Sequence, residues 1–139
     1  MTENTKKILV NTGLALSVFI IAFFIMAPLE VVRRAKREFL EGERHLSFYK
    51  NAETKKQYYD EQLSKKKISE PQYRMLMEDN SLKNAYVQYQ TVTDLFTPPE
   101  SKWVKKSRER LKEIEPEYNA WVQQLQEEIE AASYKKKPN

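Results

Sequence analysis

The chain has 139 residues, 40% hydrophobic and 32% charged, with 24 Lys/Arg against 20 Asp/Glu, no cysteine and one histidine. Such a length buries one modest core, and two glycines where about ten are usual leave few sharp turns, which argues against sandwiches, barrels, P-loops and dinucleotide folds. Without cysteine, disulfides, zinc ribbons and thiol chemistry are excluded, and His45 alone completes neither a metal site nor a nucleophile–base pair, so the expectation is no enzyme, no metal and no cofactor.

Positions 1–7 read as a short polar tail. From Ile8 to Leu29 there are 22 residues without a charged side chain. As a helix this stretch is about 33 Å long, enough for the roughly 30 Å hydrocarbon core of a bilayer. A cleaved signal peptide has a shorter apolar run and a small-residue exit, whereas here Ala27-Pro28-Leu29 resists cleavage. A buried soluble helix fails too, because the remaining chain is too polar to wrap it. The expectation is one retained transmembrane helix over 8–29. Pro28 falls at the interface, where water replaces its lost hydrogen bond. Asn11, Gly13 and Ser17 are candidates for contact with a neighbouring span, because small and polar residues allow close helix approach.

Basic residues flank the span: Lys6 and Lys7 before it, Arg33, Arg34, Lys36 and Arg37 after it. The excess on the C-terminal side predicts a single-pass protein of the inner (cytoplasmic) membrane or its organellar equivalent, with the C-terminal domain on the cytoplasmic side.

Residues 30–134 read as a charged, coiled-coil-like helical domain with breaks near 64–69 and 97–99. Up to about Lys66, Val32, Ala35, Phe39, Leu46 and Tyr49 recur at helical spacing. Gly42 interrupts that stripe and predicts a weak point, at about 1 kcal/mol relative to alanine. Ser69-Glu-Pro-Gln72 has a capping-box pattern. Met75, Leu82, Ala85, Tyr89, Val92 and Phe96 follow at helical spacing. Thr97-Pro-Pro-Glu100 repeats the cap logic, with prolines expected at the first helical positions. Then Val104, Ser107, Leu111, Ile114, Tyr118, Trp121, Leu125, Glu128 and Ala132 alternate by threes and fours, through Pro116, with Ile129 beside Glu128. Positions 135–139 read as a basic disordered tail. The fold class is therefore all-α: one N-terminal transmembrane helix, then a helical hairpin or three-helix bundle of coiled-coil type.

Chemistry is sparse. Glu127, Glu128, Glu130 and the Asp60–Glu61 pair read as solvated helix surface, because acid–base work needs one carboxylate desolvated in a pocket. From Glu30 onward 22 Lys/Arg stand against 19 Asp/Glu, largely interleaved, so nucleic acid is not an expected partner. Thirteen Phe, Tyr and Trp residues follow the span. Because Tyr and Trp favour interfaces, Tyr86, Tyr89, Phe96, Trp103, Leu111, Tyr118, Trp121 and Leu125 are candidate partner-binding residues. Together these features predict a non-catalytic accessory or assembly subunit of a larger membrane complex, with the lipid bilayer and other subunits as partners. The alternative is a self-associating coiled-coil tether, a homo-oligomer that meets anionic lipid or nucleic acid through Lys-rich turns.

Overall fold

The computed structural model describes residues 3–135, and over them the chain is an all-α helical bundle of five helices: α1 (Glu3–Lys50), α2 (Ala52–Ser64), α3 (Glu70–Glu78), α4 (Ser81–Leu95) and α5 (Lys102–Lys135). Positions 1–2 of the expected N-terminal tail, 136–139 of the expected basic tail and the Lys6 side chain lie outside the described residues.

The first helix is 48 residues long and passes through Pro28 unbroken, about 72 Å at helical rise. Its N-terminal half contains the segment that is long and apolar enough to cross a membrane, and none of that segment is buried. Its C-terminal half is a strut of the bundle. The apolar segment therefore runs into the folded core as one helix, with no linker between them.

Three helices build the core. Phe39 and Gly42 of α1 meet Tyr89 of α4, while Tyr49 of α1 shares a groove with Leu82 of α4, so α4 runs antiparallel to α1. Trp103, Arg110 and Glu113 of α5 meet Phe39, Glu43 and Lys50 in turn, so α5 runs parallel to α1. Ala35, Phe39, Leu46, Leu82, Ala85, Tyr89, Val92, Val104 and Ile114 form one buried cluster, with Tyr86, Phe96, Trp103 and Leu111 packed against it.

Gly42 is a close-approach site, not the weak point its position in the stripe suggests. A Cβ there would stand 2.7 Å from Tyr89 Cε1 and 2.9 Å from Cδ1, well inside ordinary carbon contact. The missing side chain is what lets the Tyr89 ring approach α1 this closely.

The chain breaks at two places that the hydrophobic pattern does not mark. At Asn51 the side-chain carbonyl accepts from the backbone N–H of Glu53 (3.0 Å) and of Thr54 (3.3 Å), starting α2 afresh. At Asn80 it accepts from the Lys83 N–H (3.0 Å), starting α4. The α2–α3 hairpin between these caps is fixed to α1 by Phe48, Tyr58 and Tyr59. It is locked internally by Lys55, whose buried ammonium donates to the carbonyls of Met77 (2.9 Å) and Asp79 (2.6 Å) at the end of α3.

Of the two expected caps, the capping box at Ser69 is present, with Gln72 Oε1 accepting from the Ser69 backbone N–H at 2.9 Å and lying 3.0 Å from its hydroxyl. The second differs. The last helix begins not at Thr97 but at Lys102, where Ser101 Oγ accepts from the Val104 N–H at 3.4 Å. A residue preceding proline is disfavoured in the α region, so Thr97 and Pro98 stay outside the helix, and Ser101 is the first hydroxyl beyond the prolines. Pro116, by contrast, lies within α5.

Candidate functional site

Two surfaces stand out, one at each end of the bundle. At the end adjoining the apolar segment, Trp103 packs on Phe39 with ring centroids 5.5 Å apart. Three ammonium groups surround its indole, those of Lys36 (5.7 Å from the ring centroid), Lys102 (4.9 Å) and Lys106 (5.6 Å). Among the described residues none of these lysines has a carboxylate within ion-pair distance. Nearby cations behave differently: Arg33 and Arg34 both reach Glu30 (4.0 and 3.0 Å), and Arg37 reaches Glu38 (3.5 Å). Lys7 pairs with Glu3 at 3.5 Å.

In mid-bundle a polar knot ties all three core helices. Glu43 Oε1 accepts from the Tyr89 hydroxyl (2.6 Å) and Arg110 Nε (2.8 Å), Glu43 Oε2 accepts from Arg110 Nη2 (3.1 Å), and Arg110 Nη1 donates to Glu113 (2.6 Å). Burial pushes the Glu43 carboxyl up, but the hydrogen bonds from Arg110 and Tyr89 outweigh it, and the group lies below its usual range. The Tyr89 hydroxyl is driven upward by burial and by its bond to Glu43, so it stays protonated. Because Glu43 of α1 accepts from Tyr89 of α4 and from Arg110 of α5, the knot's role is to fix the register of the three helices.

At the far end α5 outruns the other helices. Trp121 and Val122 are its last half-buried residues, with Trp121 in a groove shared with Tyr49, Asn80, Leu82 and Gln124. Every side chain from Gln123 to Ser133 is exposed. Gln123 through Lys135 therefore projects about 20 Å beyond the bundle. Val122, Leu125, Ile129 and Ala132 lie along one face of α5 at heptad spacing, with Leu125 40% and Ile129 61% exposed. Residues 122–133 carry Glu127, Glu128 and Glu130 and no lysine or arginine.

The candidate partner-binding residues therefore divide. Tyr89 is fully buried, a core residue out of a partner's reach, because Gly42 opens α1 to its ring. Tyr86, Phe96, Trp103 and Leu111 are half-buried against the core. Tyr86 stacks on Tyr118 with centroids 3.9 Å apart, and Tyr118 leans on Trp121 at 5.8 Å. Leu125 alone of the eight is exposed. Asn11, Gly13 and Ser17 are also exposed, and the Ser17 hydroxyl donates back to the Gly13 carbonyl at 2.8 Å. His45 is half-buried edge-on to Phe48 (5.9 Å) and held below its usual range by burial and then by Arg44. Asp60 accepts from the Tyr73 hydroxyl (2.7 Å), and Glu61 pairs with Lys65. Among the described residues no three His, Cys, Asp or Glu side chains converge in a way that could hold a metal.

Lys36, Lys102 and Lys106 converge on Trp103 from two helices, which sequence spacing does not reveal; the one visible hint is the Lys-Trp-Val-Lys-Lys run at 102–106. Comparison with protein-family models, with curated proteins and with solved structures returns no match.

Proposed function

We propose that this protein is a non-catalytic accessory subunit of a larger membrane complex, anchored by one span over 8–29 and presenting its helical domain on the cytoplasmic side. The observation that carries this reading is the projecting end of α5. A helix of this length exposing Leu125 and Ile129 along one seam gains little from standing alone in water. Packing such a stripe against a second helix removes it from solvent.

The chemistry of the occupant follows from charge. The seam-bearing stretch of α5, residues 122–133, carries three glutamates and no basic residue, Lys135 standing beyond it at the helix end, so a basic amphipathic helix of a foreign chain complements that stretch. A second copy in parallel would bring three further glutamates alongside, which repel at close range. The unbroken α1 contributes the other half of the design, since a span continuous with the core fixes the height of the projection above the bilayer.

The absence of cysteine allows a direct test. A photo-crosslinker on a cysteine at position 125 (Leu125→Cys), activated in native membranes, is expected to join the protein to one foreign chain in a fixed ratio. Crosslinks only between copies of this protein would replace the reading with that of a self-associating tether. No crosslink at all would remove the projection as a docking surface.

A further inference from the structure

We infer that the end of the bundle nearest the span is a binding site for the headgroups of anionic phospholipids, formed by Lys36, Lys102 and Lys106 around Trp103. The inference rests on the reading of residues 8–29 as a span and adds a ligand class to it.

Height is the first support. Lys36 lies seven residues beyond Leu29 on the same continuous helix, about 10 Å past the end of the apolar stretch. The headgroup layer is about 5–8 Å deep on each side of a bilayer, and a lysine stem snorkels toward it. Tyr89 sits opposite Gly42 on the antiparallel α4. Phe96, seven residues further along, therefore comes down to about the level of Ala35. The short connection that follows delivers Lys102, the first residue of α5, about one turn above that level, where its neighbour Trp103 meets Phe39.

Charge is the second support. Three ammonium groups within 6 Å of one indole centroid repel one another, and cation–π attraction offsets this only in part. Carboxylates occupy the neighbouring cations, as Glu30 does for Arg33 and Arg34, but among the described residues no carboxylate sits within ion-pair distance of these three. A phosphodiester supplies the missing negative charge. The indole is suited to the same layer, where tryptophans collect because one edge is polar and the body apolar. Basic residues at this depth on the cytoplasmic side attract anionic lipid.

The test uses the full chain in mild detergent micelles, with Trp121→Phe so that Trp103 is the one indole. Short-chain phosphatidylglycerol is expected to change Trp103 emission saturably, while phosphatidylcholine and inorganic phosphate at equal concentration leave it unchanged. A triple variant, Lys36→Gln, Lys102→Gln and Lys106→Gln, keeps the stems on the indole and is expected to weaken binding by up to about a hundredfold. The triple Lys→Arg variant is expected to bind as the parent does, which separates lost charge from lost fold. An equal response to phosphatidylcholine, or unchanged binding by the Gln variant, would overturn the site. Flotation with phosphatidylcholine vesicles distinguishes the two levels of failure. A chain that floats but shows no preference loses only the headgroup site; one that does not float loses the span, and the site with it.

Discussion

Replacing Gly42 by alanine tests the packing logic of the bundle because two effects of known sign oppose each other. In an exposed helix interior, Gly→Ala is stabilising by about 1 kcal/mol. At position 42 the new methyl would lie 2.7, 2.9 and 3.1 Å from Tyr89 Cε1, Cδ1 and Cζ, against an ordinary carbon separation of about 3.5–4.0 Å. The ring cannot turn aside, being fully buried and held by its hydroxyl to Glu43 at 2.6 Å. Overpacking of this kind costs about 1–3 kcal/mol, so the net expectation is a loss of about 1 kcal/mol, or about 4–8 °C in Tm for a domain of this size. Shrinking the ring in a Tyr89→Leu background frees the space, and Gly42→Ala there should stabilise by about 1 kcal/mol. The coupling between the two sites is then about 2 kcal/mol. Thermal unfolding of the full chain in mild detergent, followed by circular dichroism and tryptophan emission, measures all four corners of the cycle. A rise in Tm for Gly42→Ala in the wild-type background would refute the close-approach role.

Three further outcomes follow from the same contacts. Glu43 is held below its usual value of 4.5, so the stability it contributes is present above that pH and is lost as pH falls through its lower folded value; Arg110→Met removes the main partner, and the Tm gap between parent and variant should be widest near neutrality and narrow below about pH 4.5. Lys55→Met leaves the carbonyls of Met77 and Asp79 without their charged donor and should cost about 1.5–3 kcal/mol, read by hydrogen exchange as faster opening of α2 and α3 with the three core helices still protected. Among the described residues the buried Ser107 hydroxyl has no hydrogen-bond partner, so Ser107→Ala should be neutral to stabilising by about 1 kcal/mol in a denaturant titration, and a loss of stability would show that the hydroxyl is satisfied in the folded protein.

Elements defined by near neighbours were legible in the sequence, and those defined by distant ones were not. The all-α class, the stripe residues from Ala35 to Leu46 and from Leu82 to Val92, and the passage of α5 through Pro116 follow from local spacing. The role of Gly42 depends on a tyrosine 47 positions away, and that pairing exists only once α4 folds back on α1. Asn51 and Asn80 are good N-caps in their own right, yet each sits where the polar content is already high, and the hydrophobic period gives no sign of a break. Local charge spacing is equally incomplete. Arg110 and Glu113, three apart on α5, do pair, but Arg110 turns its other edge inward to Glu43, a residue of another helix. The aromatic residues mislead for a related reason. A slim bundle absorbs Phe39, Phe48, Tyr59 and Tyr89 completely, because their rings fill space that few leucines and isoleucines are present to fill. Among the apolar side chains left open, the less conspicuous Leu125 and Ile129 are the pair that shares one projecting helix face.

The central claim, that the projecting end of α5 joins this protein to other subunits, is tested most directly by the size of the particle released from native membranes in mild detergent. The parent should emerge in an assembly much larger than its own mass, with co-purifying membrane subunits at constant ratio. The double variant Leu125→Asp/Ile129→Asp should emerge alone with unchanged helicity, since both side chains lie outside the folded core. Parent and variant of identical size, whether both free or both assembled, would contradict the account.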